Sequence, residues 1–295
     1  MKTSEEQIIG IYHSRDLDGI ASGAIIKAMY PNAIMIGYHY GEPLTLPVLG
    51  IPVIMADVSL PFDKMVKVAE ESGSQFTWID HHKSSIDEFN VNVGAGPAPY
   101  IAYTQVGVGA CELTYKLLNQ TTDAPIGIKL LSKYDVWDKS DEMLWQEKIM
   151  PFQYGMRAIC NSISSFPMDL LLPFCSSVDK IISDGHVVLN YQDIQNEKDV
   201  MHGAFESYFE GYRAIFMNTT QMNSQAFISI YDELKHDLMI PFNFNGKFWT
   251  FSIYTTKDID CSVLAKKYGG GGHAKAAWFQ PRTVDEVKKV LSMMQ

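Results

Sequence analysis

Short apolar runs of strand length alternate with amphipathic stretches along the first half of the chain. Ile8 to Tyr12, Ala33 to Tyr38, Val53 to Ala56 and Phe76 to Ile79 are rich in β-branched and aromatic residues and predict buried strands. Between them, Ile20, Ala24, Ala28 and Met29 recur at helical spacing, with Pro31 after the helix. Pro61 opens a second helix with Phe62, Met65, Val66 and Ala69 on one face. Gly107 leads into a third, with Cys111, Tyr115 and Leu118 in register, and Ile126 to Leu131 is a further apolar stretch. Strands and helices alternating in this way predict a parallel sheet with helices on both faces.

Ser176 to about Lys198 predicts a long helix on Val178, Ile181, Ile182, Val188 and Leu189, interrupted by Gly185. Asn196 to Gly203 is polar, which puts a domain boundary near residue 200 and gives domains 1–200 and 201–295. The texture then changes. Arg213 to Met217, Gln225 to Tyr231 and Phe248 to Tyr254 read as strands. Asp260 caps a helix holding Val263 and Leu264, and Trp278 and Phe279 suggest a strand. Thr283-Val284-Asp285-Glu286 is a capping box before a last helix with Val287, Val290 and Leu291.

Polar chemistry gathers where the predicted strands end. His13-Ser14-Arg15-Asp16-Leu17-Asp18-Gly19 follows the first strand, Asp57 the third, and Asp80-His81-His82 the fourth. In open α/β sheets that edge is where ligands bind. Asp16 and Asp18 flank a single residue and can project toward one point, and the helix N-terminus beside them suits an anionic ligand. The same loop reads equally well as an aspartate N-cap with a solvated partner. Asp135 follows the apolar stretch at Ile126 to Leu131, and Trp145, Phe152 and Tyr154 behind it read as core packing rather than base stacking.

His13, Asp16, Asp18, Asp57, Asp80, His81, His82 and Asp135 thus follow apolar elements on one predicted sheet edge. Carboxylate and imidazole without thiolate suit a harder divalent ion, manganese first, with magnesium or cobalt possible. The set is too large for one ion. Two ions sharing a bridging carboxylate, ~3.5–4 Å apart, would use it better, and such pairs serve phosphoryl chemistry. Farther on, Gly269-Gly270-Gly271-Gly272-His273-Ala274-Lys275 lies between a predicted helix and a strand. Four glycines usually make a flexible linker, but that placement predicts backbone amides open to an anion.

Composition narrows the partners. The 295 residues are 46% hydrophobic and 20% charged, an ordinary globular balance that argues against disorder. A formal charge of −10 opposes strong non-specific binding to long duplex nucleic acid. No apolar run approaches the ~18 residues of a membrane span, and Ile8 to Tyr12 is too short for a signal-peptide core, so a cytoplasmic protein is expected. Cys111, Cys160, Cys175 and Cys261 lie far apart with no Cys-x-x-Cys, which predicts reduced, mostly buried thiols. There is no Gly-x-Ser-x-Gly elbow, no Walker loop and no His-Glu-x-x-His, and the Gly-Val-Gly near residue 107 lacks the dinucleotide pattern.

His13…Asp16-x-Asp18, Ala56-Asp57, Asp80-His81-His82 and Asp135 resemble the N-terminal motifs of the DHH phosphoesterase superfamily. Gly269 to His273 with Ala276-Ala277 resembles the glycine motif of its DHH-associated domain. The resemblance runs in family order over nearly the whole chain. It implies a metal-dependent phosphoesterase with a smaller C-terminal α/β domain, a mixed sheet there, and an active site in the interdomain cleft. His13, Asp16 and Asp57 would hold one ion, and Asp18, Asp57, His81 and Asp135 the other, with Asp57 bridging. His82 would face the substrate phosphate and Asp80 would hold or orient the metal site, both as catalytic residues. Gly270, Gly271, Gly272 and His273 would bind substrate. The implied substrate is a small anionic phosphate ester, a nucleotide or short oligonucleotide. Inorganic polyphosphate or pyrophosphate is the alternative, and a catalytically silent nucleotide-binding module is an alternative of another class. A homodimer stays open. Two departures from the family pattern stand out. The His13 to Asp16 spacing is one residue shorter than in several relatives. Ser252-Ile253-Tyr254 stands where oligoribonuclease-like members carry Ser-x-Arg, which removes a bidentate phosphate contact and keeps the polyphosphate alternative open.

Overall fold

The computed structural model describes residues 5–40, 42–220, 223–272 and 274–293. They form two compact units that meet in sequence between Leu189 and Asn190, inside one helix. In the first unit β1 (Ile9–His13), β2 (Ile34–Tyr38), β3 (Val53–Ala56), β4 (Phe76–Asp80) and β5 (Ile101–Thr104) pair in the order β2-β1-β3-β4-β5, all parallel. Alternate side chains divide between its two faces. Val53, Met55, Phe76 and Trp78 pack against Met65, Val68 and Ala69 of α2 (Phe62–Glu71) and the half-buried Ile86 and Phe89 of α3 (Lys83–Val93). Ile54, Ala56 and Ile79 meet Ile26 of α1 (Leu17–Met29) and Leu113 of α4 (Ala110–Asn119) on the other side. The predicted parallel sheet with helices on both faces is what forms. Buried Trp78 also anchors the edge where the motifs lie, since its indole Nε1 donates to the carbonyl oxygen of Val58 at 3.1 Å.

A helical layer packs behind α1. It holds α5 (Ile126–Asp135), α6 (Glu142–Leu144), a π-helical turn at Trp145–Ile149, α7 (Met150–Ile159) and the start of α8 (Ser177–Gly203). Ile20, Ala24, Ile128, Leu131 and Ile181 share one cluster with Trp145, Phe152 and Tyr154, so those aromatics are core residues as expected. Gly185 does not interrupt α8, contrary to expectation. A Cβ there would collide with the carbonyl oxygen of Pro151, so the glycine permits close helix packing instead.

The second unit is built on β6 (Ala204–Phe209), β7 (Tyr212–Asn218), β8 (Leu238–Phe244), β9 (Trp249–Tyr254), β10 (Gly271–Gly272) and β11 (Ala276–Phe279). Their order is β10-β11-β9-β8-β7-β6, with β7 and β8 parallel and the other pairs antiparallel, a mixed sheet. Leu264 and Ala265 of α9 (Cys261–Lys266) and Val290 of α10 (Val284–Met293) pack with Phe216, Ile240, Phe251 and Phe279 of the sheet. Gln225 to Tyr231 is not a strand. Ser224–Phe227 is a 3-10 turn, and Ala226 and Phe227 bury against Ile215, Met217 and Met239. Its apolar residues point into a core from a tight turn, which strand periodicity mimics over so few residues. No described helix is long and apolar enough to cross a membrane.

Candidate metal centre

The strand order turns back between β1 and β3, and the carboxyl ends of strands at such a switch point form a crevice. Four strand ends deliver chemistry there. His13 is the last residue of β1, Asp57 the first after β3, Asp80 the last of β4, and His39 the first after β2. Asp16 is the N-cap of α1 and accepts the Gly19 amide at 2.9 Å, as one sequence reading had it. Asp18 is not the solvated partner of that reading. It is buried, and its carboxylate accepts the amides of Ala110 at 2.6 Å and Cys111 at 2.9 Å. Those are the first two amides of α4, a helix whose own N-cap residue, Gly109, offers no side chain. The helix N-terminus thus holds a buried charge in place.

Asp57 stands at the middle of the cluster, 1% exposed and with φ +60°. A non-glycine residue in the left-handed region stores strain, and such positions collect at functional sites. Its two oxygens face different partners: Oδ2 is 3.7 Å from His13 Nδ1 and Oδ1 is 3.3 Å from His81 Nε2. His13 Nδ1 is also 2.7 Å from Asp16 Oδ2. His81 Nε2 is 3.2 Å from Asp135 Oδ2 and 3.7 Å from Asp18 Oδ2. Three overlapping groups result, each with ligand atoms within 4.8 Å of one another: His13, Asp16 and Asp57; Asp18, His81 and Asp135; Asp57, Asp80, His81 and His82. Asp135 reaches its group from the last residue of α5, not from a strand end, which corrects the expectation that every member leaves the sheet.

Asp80 shapes the turn it opens. Its fully buried Oδ1 accepts the amides of His81 and His82 at 2.7 and 3.1 Å and lies 2.7 Å from His82 Nδ1. Burial pushes its pKa up, but the bonds from His82 outweigh that and hold it below the usual carboxylate range. Burial works against a charged His82 as well, yet the Asp80 contact and the nearby Asp135 and Asp18 raise it to about 9. Asp57 goes the other way. Burial first, then the charges of Asp16, Asp18, Asp135 and Asp80, lift it well above the usual range. Among the described residues, the ion pairs of these five carboxylates are all with histidines.

Buried polar atoms normally find partners. Here His13 Nδ1, Asp57 Oδ1, Asp80 Oδ2 and His81 Nε2 are buried without a hydrogen-bond partner. His13 Nδ1, Asp57 Oδ1 and His81 Nε2 still have the ion-pair contacts given above, whereas Asp80 Oδ2 has none among the described residues, and a buried atom of that kind costs about 1–3 kcal/mol. Converging carboxylate and imidazole atoms, under-paired and crowded with negative charge, fit divalent cations of the harder kind. No thiolate joins them: burial pushes the thiol of Cys111 well up, and all four cysteines are free.

Gly19 makes the approach of α1 to β1 possible. A Cβ there would run into the His13 carbonyl oxygen and lie 2.6 Å from His13 Cβ. Gly19→Ala is expected to shift His13 and the Asp16–Asp18 loop together. It should destabilise the protein by about 1–3 kcal/mol, an overpacking cost, read as a lower denaturation midpoint. An unchanged midpoint would show that the close approach is not required.

His39 was not singled out by the sequence pattern. Its Nδ1 is 3.4 Å from His13 Nε2, and the two rings lie side by side with planes 19° apart and centroids 5.7 Å apart. The signal was present, since His39 follows a strand as directly as Asp57 does. Gly270, Gly271 and Gly272 belong to the second unit. Gly271 and Gly272 pair with Trp278 and Ala277, and a Cβ on Gly270 or Gly272 would collide with or crowd the backbone of Trp278 or Ala276, while Gly271 faces open space. His273 lies outside the described residues. Ser252 and Tyr254 are on β9, Ser252 buried and Tyr254 packed at the edge of the Ile215 cluster.

No protein-family model matches the sequence, and no curated protein matches it. Solved structures do match in fold. One is a pGpG-specific phosphodiesterase, PggH, from Vibrio cholerae, at 13% identity and a TM-score of 0.54, covering 98% of this chain and 97% of that one. Another is the DHH domain of a protein assigned to a family of ribosomal proteins, at 12% identity and a TM-score of 0.56, covering 98% of this chain and 85% of that one. At these identities the likeness concerns the fold.

Proposed function

We propose that this chain, whose fold is that of the DHH superfamily, is a metal-dependent phosphoesterase acting on a small nucleotide or short oligonucleotide. The observation that carries the reading is Asp57, buried among carboxylates with one oxygen toward His13 and the other toward His81. In this reading His13, Asp16 and Asp57 hold one divalent ion, and Asp18, Asp57, His81 and Asp135 hold a second, with manganese the first choice. When bound, the pair supplies positive charge to phosphate oxygens and lowers the pKa of the attacking water. The protein's own groups do the remaining work. The α4 amides fix Asp18, so one ligand is held in place before any ion arrives. Asp80 locks the His82 ring by its 2.7 Å contact and, in the metal-free protein, favours its charged form. A charged His82 binds a phosphate oxygen and can give its proton to the leaving oxygen as the phosphorus–oxygen bond breaks. Gly270, Gly271, Gly272 and His273 are proposed to contact the non-reacting part of the substrate.

The breadth of the likeness to a dinucleotide phosphodiesterase, nearly end to end in both chains, supports the nucleotide class. The charge of −10 weighs against long duplexes. The test is a panel with purified protein: a linear dinucleotide, short RNA, cyclic dinucleotides, phosphoadenosine phosphate, duplex DNA and inorganic polyphosphate. Each is assayed with manganese, magnesium or cobalt and again in excess chelator. Turnover of a nucleotide or short oligonucleotide, lost in chelator and restored by manganese, is the expected result. Full activity in chelator removes the metal. Turnover of polyphosphate alone moves the substrate class, and metal-supported binding without turnover leaves a nucleotide-binding module.

A further inference from the structure

We propose that His39 is a positioning residue for the metal centre: it accepts a hydrogen bond from His13 Nε2 and so keeps His13 Nδ1 free to bind an ion. The proposal rests on the metal-centre reading above. A neutral imidazole carries one proton, and the nitrogen without it is the ligand. In His13 the two nitrogens have different surroundings. Nδ1 faces Asp16 Oδ2 at 2.7 Å and Asp57 Oδ2 at 3.7 Å, the group of three proposed to hold the first ion. Nε2 faces His39 Nδ1 at 3.4 Å. Ligation through Nδ1 therefore requires the proton on Nε2, and His39 Nδ1 is the acceptor placed to take that bond. Without it, His13 can carry its proton on Nδ1, turn it toward Asp16, and lose the lone pair an ion needs.

The scaffold holds the two rings in that relation. His13 and Tyr38 are register partners across β1 and β2, and the Ser14 amide donates to the Tyr38 carbonyl oxygen at 3.0 Å. His39 is the next residue, so the sheet ladder sets its distance to His13. The two ring planes are only 19° apart, so the Nε2 proton of His13 and the Nδ1 lone pair of His39, which both lie in those planes, can meet. A group that fixes the tautomer of a metal-binding histidine is worth about 10–100-fold in metal affinity.

Two variants separate an acceptor from a packing role. His39→Phe keeps a planar ring of similar bulk and removes the acceptor. His39→Asn gives up the ring but puts an amide oxygen where Nδ1 stood. Manganese binding to metal-free protein is measured by calorimetry, and the His13 tautomer by long-range proton–nitrogen NMR with magnesium bound. His39→Phe should weaken manganese binding about tenfold or more at one ion while leaving the other, and should move the His13 proton off Nε2. His39→Asn should stay within about threefold of the original protein and keep the proton on Nε2. Equal losses in both variants, no loss in His39→Phe, or a His13 proton on Nδ1 in the magnesium-bound original protein overturns the proposal. Failure of the underlying reading looks different. The unaltered protein then binds no divalent ion, or His13→Ala binds manganese as tightly as the original.

Discussion

Asp57→Asn is expected to lower turnover by about 10²–10³-fold or more, the scale of losing a preorganised electrostatic contact, while making the metal-free protein more stable. The two effects come from the same geometry. The Asp57 carboxylate is buried, and the four carboxylates of Asp16, Asp18, Asp135 and Asp80 push its pKa further in the direction burial already drives it. Without cations, that crowding is a cost to folding. Asparagine keeps the shape and removes the charge. It also tolerates the φ of +60° that Asp57 adopts, because asparagine visits the left-handed region readily. Relief of about 1 kcal/mol would raise the melting temperature by about 1–2 °C in a chain of 295 residues. Asp57→Ala should lose activity as well but gain less stability, since alanine in the left-handed region costs about 1–2 kcal/mol. Added manganese should reverse the ranking. A ligand at 100 times its Kd stabilises the fold by about 2.7 kcal/mol, and the variant with a weakened shared ligand should gain less. Thermal melts in chelator and in manganese, beside activity and metal content, check all of this. A metal-free Asp57→Asn protein that melts below the original would contradict the account of a strained, self-repelling cluster.

Burial decides which parts of this protein can be read in the sequence. β1, β3 and β4 were legible because strands buried on both faces are near-continuous apolar runs, and the polar residues that end them stand out; β2, the edge strand Ile34–Tyr38, was legible from its apolar run although most of it is only half-buried. β5 was not. It is a four-residue edge strand, Ile101–Thr104, with half-buried and exposed positions, and its short run Tyr100 to Tyr103 follows a stretch of glycine and proline that reads as loop. α3 buries no residue completely and left no readable stripe. β8 was missed although it is an interior strand, because Pro241 sits within it and proline argues against a central strand. The site divides in a similar way. Asp16, Asp57 and Asp80 lie next to strands or a helix start, where spacing alone suggests proximity. That Asp18 lies on the N-terminus of α4, and that Asp135 arrives from the end of α5, are long-range facts. Nothing local to either residue encodes them.

His82→Gln is expected to lower kcat by about 10²-fold, the lower range for loss of a positioned proton donor, with metal content unchanged. Its metal-free form offers a second, independent measurement. In the folded protein the His82 pKa is raised to about 9: burial opposes the charge, but the Asp80 contact and then Asp135 and Asp18 more than compensate. An unfolded histidine titrates near ~6.5. A group whose folded pKa lies above its unfolded value contributes stability that is fully present below the unfolded pKa and is lost as pH rises through the folded one. The metal-free protein should therefore lose this contribution between pH ~6.5 and about 9. His82→Gln, which cannot gain a proton, should lack that slope. The stability gap between the two proteins should be widest at the acid end of the window and close toward its alkaline end. Asp80→Asn should act through the same pair. It removes the 2.7 Å partner, returns the His82 titration toward the ordinary histidine range in NMR, and lowers kcat without touching the Asp57 ligands. Denaturant melts at several pH values, beside kcat and metal analysis, are the measurements. A gap that stays constant across the window, or a His82→Gln protein that loses its metals, would mean that His82 belongs to the metal shell and does not stand apart as the charged group facing substrate.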